Sequence, residues 1–124
     1  NPLLGHITTF GGHPVSCAAA FATLKTIQSE SLYQTVQPKA NLFRQLLQHP
    51  LIKEIRNKGL MMAVELENFE IVQKVIQICL EKGVIIDWFL FNNKSLRIAP
   101  PLTITEEIIQ EACAIIVAAM SLQQ

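Results

Sequence analysis

The sequence has few charged residues and no excess of either sign. Ten lysine and arginine residues balance ten aspartate and glutamate residues among 124, so the formal net charge is zero. A chain without a positive field has little to attract phosphate backbones or anionic lipid. We therefore expect neither nucleic acid nor a membrane among its partners.

The cysteines form no pattern that indicates disulfides or a metal site. Cys17, Cys79 and Cys113 are far apart, with no Cys-x-x-Cys pair and no histidine at ligand spacing. Each lies in an apolar helical pattern, which predicts three buried thiols, no metal site and a reducing, cytoplasmic location. The longest apolar run, residues 112–120, falls well short of the roughly 18 residues of a membrane span.

Hydrophobic residues make up half of the sequence, which is more than a small free-standing domain needs. Such an excess predicts surfaces that meet another domain or subunit. The first helix shows the same feature, because residues 15–27 are apolar on nearly every side and such helices are buried all round. Asn1 is not an initiator residue, and we expect the chain to be part of a longer protein.

Residue periodicity predicts four helices and four short strands. The helices are expected at residues 14–27, 32–48, 69–82 and 106–120, and the strands at 52–56, 60–67, 84–87 and 95–98. Pro38 either kinks the second helix or marks a later start, and Thr103 or Thr105 caps the last one. Asn68 can cap the third helix, and Gly83 closes it. Leu60, Met62, Val64 and Leu66 share one face of the second strand, and Leu80 and Ile108 are expected on the buried faces of the third and fourth helices. After the second helix the order is β-β-α-β-β-α. This order predicts an α+β fold, a two-layer sandwich with a small, mostly antiparallel sheet and helices on one face.

Arg97 is the strongest candidate for a binding residue. It is an isolated arginine between Leu96 and Ile98, and a double proline follows at Pro100 and Pro101. A guanidinium held in this way can bind a carboxylate through two parallel hydrogen bonds. A strand arginine paired with a surface acid such as Glu65 or Glu67 is the more common arrangement for this residue type.

A second candidate is the pair Thr8 and Thr9, which precedes a Gly-Gly sequence and the predicted helix start at Pro14. A hydroxyl beside the free N–H groups of a helix N-terminus suits a phosphate. Ordinary capping threonines explain the local pattern equally well. His6 and His13 have no acid or nucleophile near them in sequence, so we assign neither a catalytic role.

Three segments, residues 5–14, 55–66 and 95–104, resemble in order and spacing the class III pyridoxal-phosphate aminotransferases of the acetylornithine and ornithine type. The resemblance implies a fold: residues 29–124 would be the small C-terminal domain of a fold-type I pyridoxal-phosphate enzyme. Residues 1–28 would be the tail of its large cofactor domain. The full-length protein would transfer an amino group from a diamino or ω-amino acid to 2-oxoglutarate, as a homodimer with pyridoxal 5'-phosphate.

The resemblance also implies roles for individual residues. Arg97 would bind the substrate α-carboxylate, and Thr9 rather than Thr8 would contact the cofactor phosphate of the other subunit. His13 stands where the family more often has asparagine. None of the seven lysines lies in a context similar to that of the family's Schiff-base lysine, so we expect no catalytic residue in this chain and no activity of the chain alone. The alternative is a free-standing β-β-α-β-β-α regulatory module that binds a small ligand or a partner.

Overall fold

The computed structural model describes residues 9–123. The chain forms two compact units, of which one ends at Tyr33 and the other begins at Gln34. The boundary predicted from the sequence, between residues 28 and 29, falls five residues earlier. The assignment of residues 1–28 to a large cofactor domain stays a prediction.

The first unit contains helix α1, Pro14–Ser29. Proline at the first helical position lacks an N–H that would have no partner in the helix, and the helix begins there as predicted, with His13 as its N-cap. No residue of α1 is buried, and even the large apolar residues Val15 and Phe21 are 71% and 63% exposed. Cys17 is also exposed, so the prediction of a buried thiol is wrong at this position.

The second unit contains three helices and a four-stranded sheet. After a 3₁₀ turn at Leu32–Thr35 come α2 (Val36–Leu46), β1 (Glu54–Lys58), β2 (Met61–Glu65), α3 (Phe69–Glu81), β3 (Asp87–Phe89), β4 (Asn92–Ile98) and α4 (Glu106–Ser121). The strand order is β1-β2-β4-β3, and each neighbouring pair is antiparallel. The α+β prediction with the order β-β-α-β-β-α is confirmed.

The helix ends resolve the alternatives that the sequence left open. Pro38 is the third residue of α2, so it marks a later start rather than a kink, because the first turn has no intrahelical partners for its N–H groups. Thr105, and not Thr103, caps α4, and its Oγ1 accepts a hydrogen bond from the Ile108 N–H. Asn68 caps α3 as predicted, since its Oδ1 accepts from the Ile71 N–H at 3.0 Å.

The core lies between one face of the sheet and the three helices of this unit. Alternate side chains of β2 and its flanks are buried, as the pattern predicted: Leu60, Met62, Val64 and Leu66. Leu96 and Ile98 of β4 lie beside them on the same face of the sheet. The helices contribute further buried residues to this core, including Phe43, Val72, Val75, Ile109 and Ile116. Leu80 and Ile108, which were also expected inside, are 53% and 52% exposed, so their predicted burial is wrong.

The other two cysteines belong to this core. Cys79 on α3 and Cys113 on α4 are buried, in agreement with the prediction. Burial raises the pKa of the Cys79 thiol to about 11 and that of the Cys113 thiol to about 12. Both side chains therefore remain neutral thiols at physiological pH and pack as small apolar groups.

Gly59, in the turn between β1 and β2, fits only because it lacks a side chain. Its φ is +57°, and an added Cβ would lie 2.6 Å from Cγ1 of Val36 on α2. Gly83 has a similar φ of +85°, but a Cβ there would meet nothing within 4 Å. Substitution at Gly83 therefore tests the cost of the left-handed backbone alone, and substitution at Gly59 tests that cost together with the clash with Val36.

We expect Gly59→Ala to destabilise the chain more than Gly83→Ala. Both variants carry the left-handed backbone penalty of roughly 1–2 kcal/mol, and Gly59→Ala adds about 1–3 kcal/mol for the displaced α2. Urea unfolding of the two variants measures the difference. Equal losses would show that Val36 moves aside without cost.

Candidate functional site

The side of the sheet that faces away from the core carries a row of polar residues. In an antiparallel sheet, directly opposed residues point to the same face. The register aligns one residue from each strand in the order Arg56, Ala63, Arg97 and Asp87. The neighbouring row holds Glu54, Glu65 and Ser95. We call these seven residues the polar face.

Arg97 lies on the polar face, in a strand with neighbours on both sides. Its Nη2 donates to Oδ2 of Asp87 at 2.9 Å, and the two side chains are 44% and 47% exposed. The other carboxylate oxygen of Asp87 accepts a hydrogen bond from the Trp88 N–H at 2.8 Å. The acid beside Arg97 is therefore Asp87, and neither Glu65 nor Glu67, which the sequence had suggested, pairs with it among the described residues. The role of Arg97 in substrate binding stays a prediction.

A second arginine organises the other end of the polar face. Nη1 of Arg56 forms ion pairs with Glu54 and, at 2.6 Å, with Glu65. Its Nη2 lies 3.4 Å from Oγ of Ser95, which also accepts from Asn92 at 3.1 Å. The hydrogen bond from Arg56 holds the pKa of the Glu65 carboxyl below its usual value.

Sequence reasoning missed both Arg56 and Asp87 as members of this face. A signal for Arg56 was available, because Glu54 and Arg56 are two residues apart in a predicted strand and therefore share a face. No signal was available for Asp87, since its contact with Arg97 depends on the register of β3 against β4.

A cavity of about 270 Å³ opens on this side of the sheet. It is lined by Arg56, Ala63, Phe89, Phe91 and Asn92. Ala63 lies directly opposite Arg97 in the register and has the smallest side chain of the row, so it leaves space between the two arginines. The cavity thus combines a guanidinium, an amide and two aromatic rings beside the predicted carboxylate-binding residue.

Thr9, the predicted cofactor-binding residue, is exposed in the first unit. It lies in a turn that includes residues 9–12 and leads into α1, and Gly12 in this turn has φ +78°. No side chain caps the helix at His13, so the N–H groups of the first turn remain available to an anion. A hydroxyl and a bare helix N-terminus fit a phosphate group. Thr8 and His6 lie outside the described residues.

The remaining candidates for chemistry are the lysines and the possible metal ligands. Six of the seven lysines are exposed, and Lys39 is half-buried with its Nζ 2.7 Å from the Leu102 carbonyl oxygen. Among residues 9–123, no group of three or more His, Cys, Asp or Glu residues is placed to hold a metal ion. Within the same residues, no helix has both the length and the apolar content needed to cross a membrane.

Comparison with known proteins places the chain in a family. A family model described as aminotransferase class-III matches residues 2–120. An acetylornithine aminotransferase of Caldanaerobacter subterraneus subsp. tengcongensis is 38% identical over 116 residues, which cover 90% of this chain and 29% of that protein.

Solved structures show the same similarity. An aminotransferase from Bacillus anthracis shares 34% identity at a TM-score of 0.78, over 96% of this chain and 30% of that one. The ornithine aminotransferase from Toxoplasma gondii shares 31% identity at a TM-score of 0.74, over 93% of this chain and 28% of that one. The chain thus spans less than a third of the length of each of these relatives. On this evidence, the chain belongs to the class-III aminotransferase family.

Proposed function

We propose that the chain is the C-terminal portion of an aminotransferase of the acetylornithine or ornithine type. The full-length protein would transfer an amino group from a diamino or ω-amino acid to 2-oxoglutarate. Family membership and the names of the relatives support this reaction over a free-standing regulatory module. The structural observation that carries the proposal is Arg97, whose guanidinium stands half-exposed on the polar face.

The surroundings of Arg97 suit a carboxylate-binding role. Its backbone is fixed because β4 pairs with β2 on one side and β3 on the other. The adjacent Leu96 and Ile98 are buried in the core and anchor the strand from the opposite face. A guanidinium has five N–H donors, and Asp87 takes one of them. The other donors can form the two parallel bonds that a carboxylate accepts.

The cofactor proposal rests on Thr9. Pyridoxal 5'-phosphate, when bound, supplies the electron sink that makes amino transfer feasible. In our proposal the Thr9 hydroxyl and the first-turn N–H groups of α1 hold the phosphate of a cofactor seated in the neighbouring subunit. The lysine that binds the cofactor covalently would lie elsewhere in the full-length protein, so the 124-residue chain alone should be inactive.

The assembly proposal rests on the first unit. Phe10, Val15, Phe21 and Leu24 are each more than half exposed along the turn and helix α1. Exposed apolar surface of this kind usually marks an interface. We propose that the full-length protein is a homodimer of the cytoplasm in which α1 is covered, with an amino acid and 2-oxoglutarate as its substrates.

The full-length gene product tests these proposals together. We expect it to show the visible absorbance of bound pyridoxal phosphate, to sediment as a dimer and to convert acetylornithine or ornithine in the presence of 2-oxoglutarate. The 124-residue chain, assayed in parallel, should show neither the absorbance nor the activity. A full-length protein that binds no cofactor, or a chain that is active alone, would overturn the proposal.

A further inference from the structure

Asp87 has two restraints that an ordinary surface carboxylate lacks. It lies directly opposite Arg97 in the register of β3 and β4, and its Oδ2 is 2.9 Å from Nη2 of that residue. Its Oδ1 accepts from the Trp88 N–H at 2.8 Å. One carboxylate oxygen is therefore tied to the backbone while the other holds the guanidinium.

The strand that carries Asp87 is itself fixed to a helix. The ring of Trp88 points to the opposite side of β3 and meets the ring of Phe69 edge to face, with 5.8 Å between the centroids. Phe69 is the first residue of α3, which packs against β4 and α4. A continuous set of contacts thus runs from α3 through Trp88 and Asp87 to Arg97.

We propose that Asp87 is a positioning residue for substrate recognition: it holds the Arg97 guanidinium by one nitrogen and directs the remaining N–H groups toward the substrate carboxylate. This inference rests on the proposed function of Arg97. A long arginine side chain loses rotamer freedom when it grips a ligand, and this loss opposes binding. A guanidinium that Asp87 already restrains loses less, so the carboxylate binds more tightly.

A surface ion pair with no such role would act differently. It would contribute weakly to folding and would not distinguish substrates with a carboxylate from those without one. The KM for a carboxylated donor, compared with that for a simple alkyl amine, therefore separates the two roles. The Glu70–Lys74 pair provides a matched control, because it joins exposed side chains at 2.9 Å on α3, which packs on the opposite side of the sheet from the polar face.

The test uses Asp87→Ala, Asp87→Asn and Glu70→Gln in the full-length protein. We expect Asp87→Ala to raise the KM for the carboxylated donor by about 3- to 30-fold, as for other directly coupled side chains, with kcat within about twofold. Asp87→Asn retains an oxygen for the Trp88 N–H but turns an amide NH2 toward the guanidinium, which can only donate, so it should raise the same KM by a similar factor. The KM for the alkyl amine should change little, and Glu70→Gln should change neither constant.

The double variant Asp87→Ala/Arg97→Ala completes the cycle. If Asp87 acts through Arg97, the double variant is no worse for the carboxylated donor than Arg97→Ala alone. An unchanged or lower KM in Asp87→Ala, equal losses with both donors, or additive losses in the double variant would overturn the inference while the role of Arg97 stands. If Arg97→Ala itself fails to discriminate the donors, both roles are overturned. Should Asp87→Ala not fold, Asp87→Asn carries the same comparison.

Discussion

Replacing Arg97 with alanine in the full-length protein is expected to lower kcat/KM for α-carboxylated donors by roughly ten- to a thousandfold. A paired guanidinium–carboxylate contact in a site that excludes water is typically worth a few kcal/mol. Arg97→Lys should lose most of the same activity, because an ammonium group cannot reproduce the planar fork. Steady-state kinetics with matched donors measures both variants.

The stability of these variants is the control. Arg97 points away from the core and is 44% exposed, so its removal should leave the melting temperature nearly unchanged. Alkyl amines without a carboxylate should lose much less activity than amino acids. A variant that impairs both kinds of donor equally, or that mainly lowers the melting temperature, would make Arg97 a structural partner of Asp87 and nothing more.

The second large effect is expected in the core. Phe43 on α2 is 1% exposed and belongs to the buried core, and α2 packs against α4. We expect Phe43→Ala to lower the free energy of unfolding by about 3–5 kcal/mol, since the loss combines transfer of the ring with the cavity that remains. Urea unfolding of the 124-residue chain measures the change.

Phe91 offers the matched substitution on the surface. It is 78% exposed in the turn between β3 and β4, so Phe91→Ala should change the free energy of unfolding by no more than about 0.5 kcal/mol. Similar losses in the two variants would mean that Phe43 does not belong to a well-packed core or that Phe91 is covered in solution.

The features that the sequence predicts well are those fixed by local chemistry. The alternation from Leu60 to Leu66 placed β2 and its buried face correctly, because one side of that strand faces the helices. Asn68 and Gly83 marked the ends of α3, since an N-cap and a left-handed residue each favour a particular residue type. The α+β layering then follows from the order of the elements.

The position and register of β3 could not be predicted from local sequence patterns. Residues 84–91 are apolar except for Asp87, so no alternation identifies the buried face. The strand was expected at residues 84–87 and instead spans Asp87–Phe89, with an irregular register between Trp88 and Phe89. Because register decides which side chains meet across a sheet, the contact between Asp87 and Arg97 was beyond sequence reasoning.

The ion pairs of Arg56 also depend on strand pairing that the sequence alone does not predict. The sequence places Glu54 and Arg56 on one face, but the third member, Glu65, enters only through the pairing of β1 with β2. Residue type alone had suggested Glu65 as a partner of Arg97. The fold assigns it to Arg56 and leaves Arg97 to Asp87.

The contact between Trp88 and Phe69 also gives the molecule a built-in optical probe. The sequence contains one tryptophan, so all indole fluorescence comes from this position. Trp88 is 36% exposed and its ring contacts Phe69 of α3, while its backbone N–H donates to Asp87. Its emission therefore reports on the strand next to Arg97, and it allows the state of that strand to be followed in solution without an attached label.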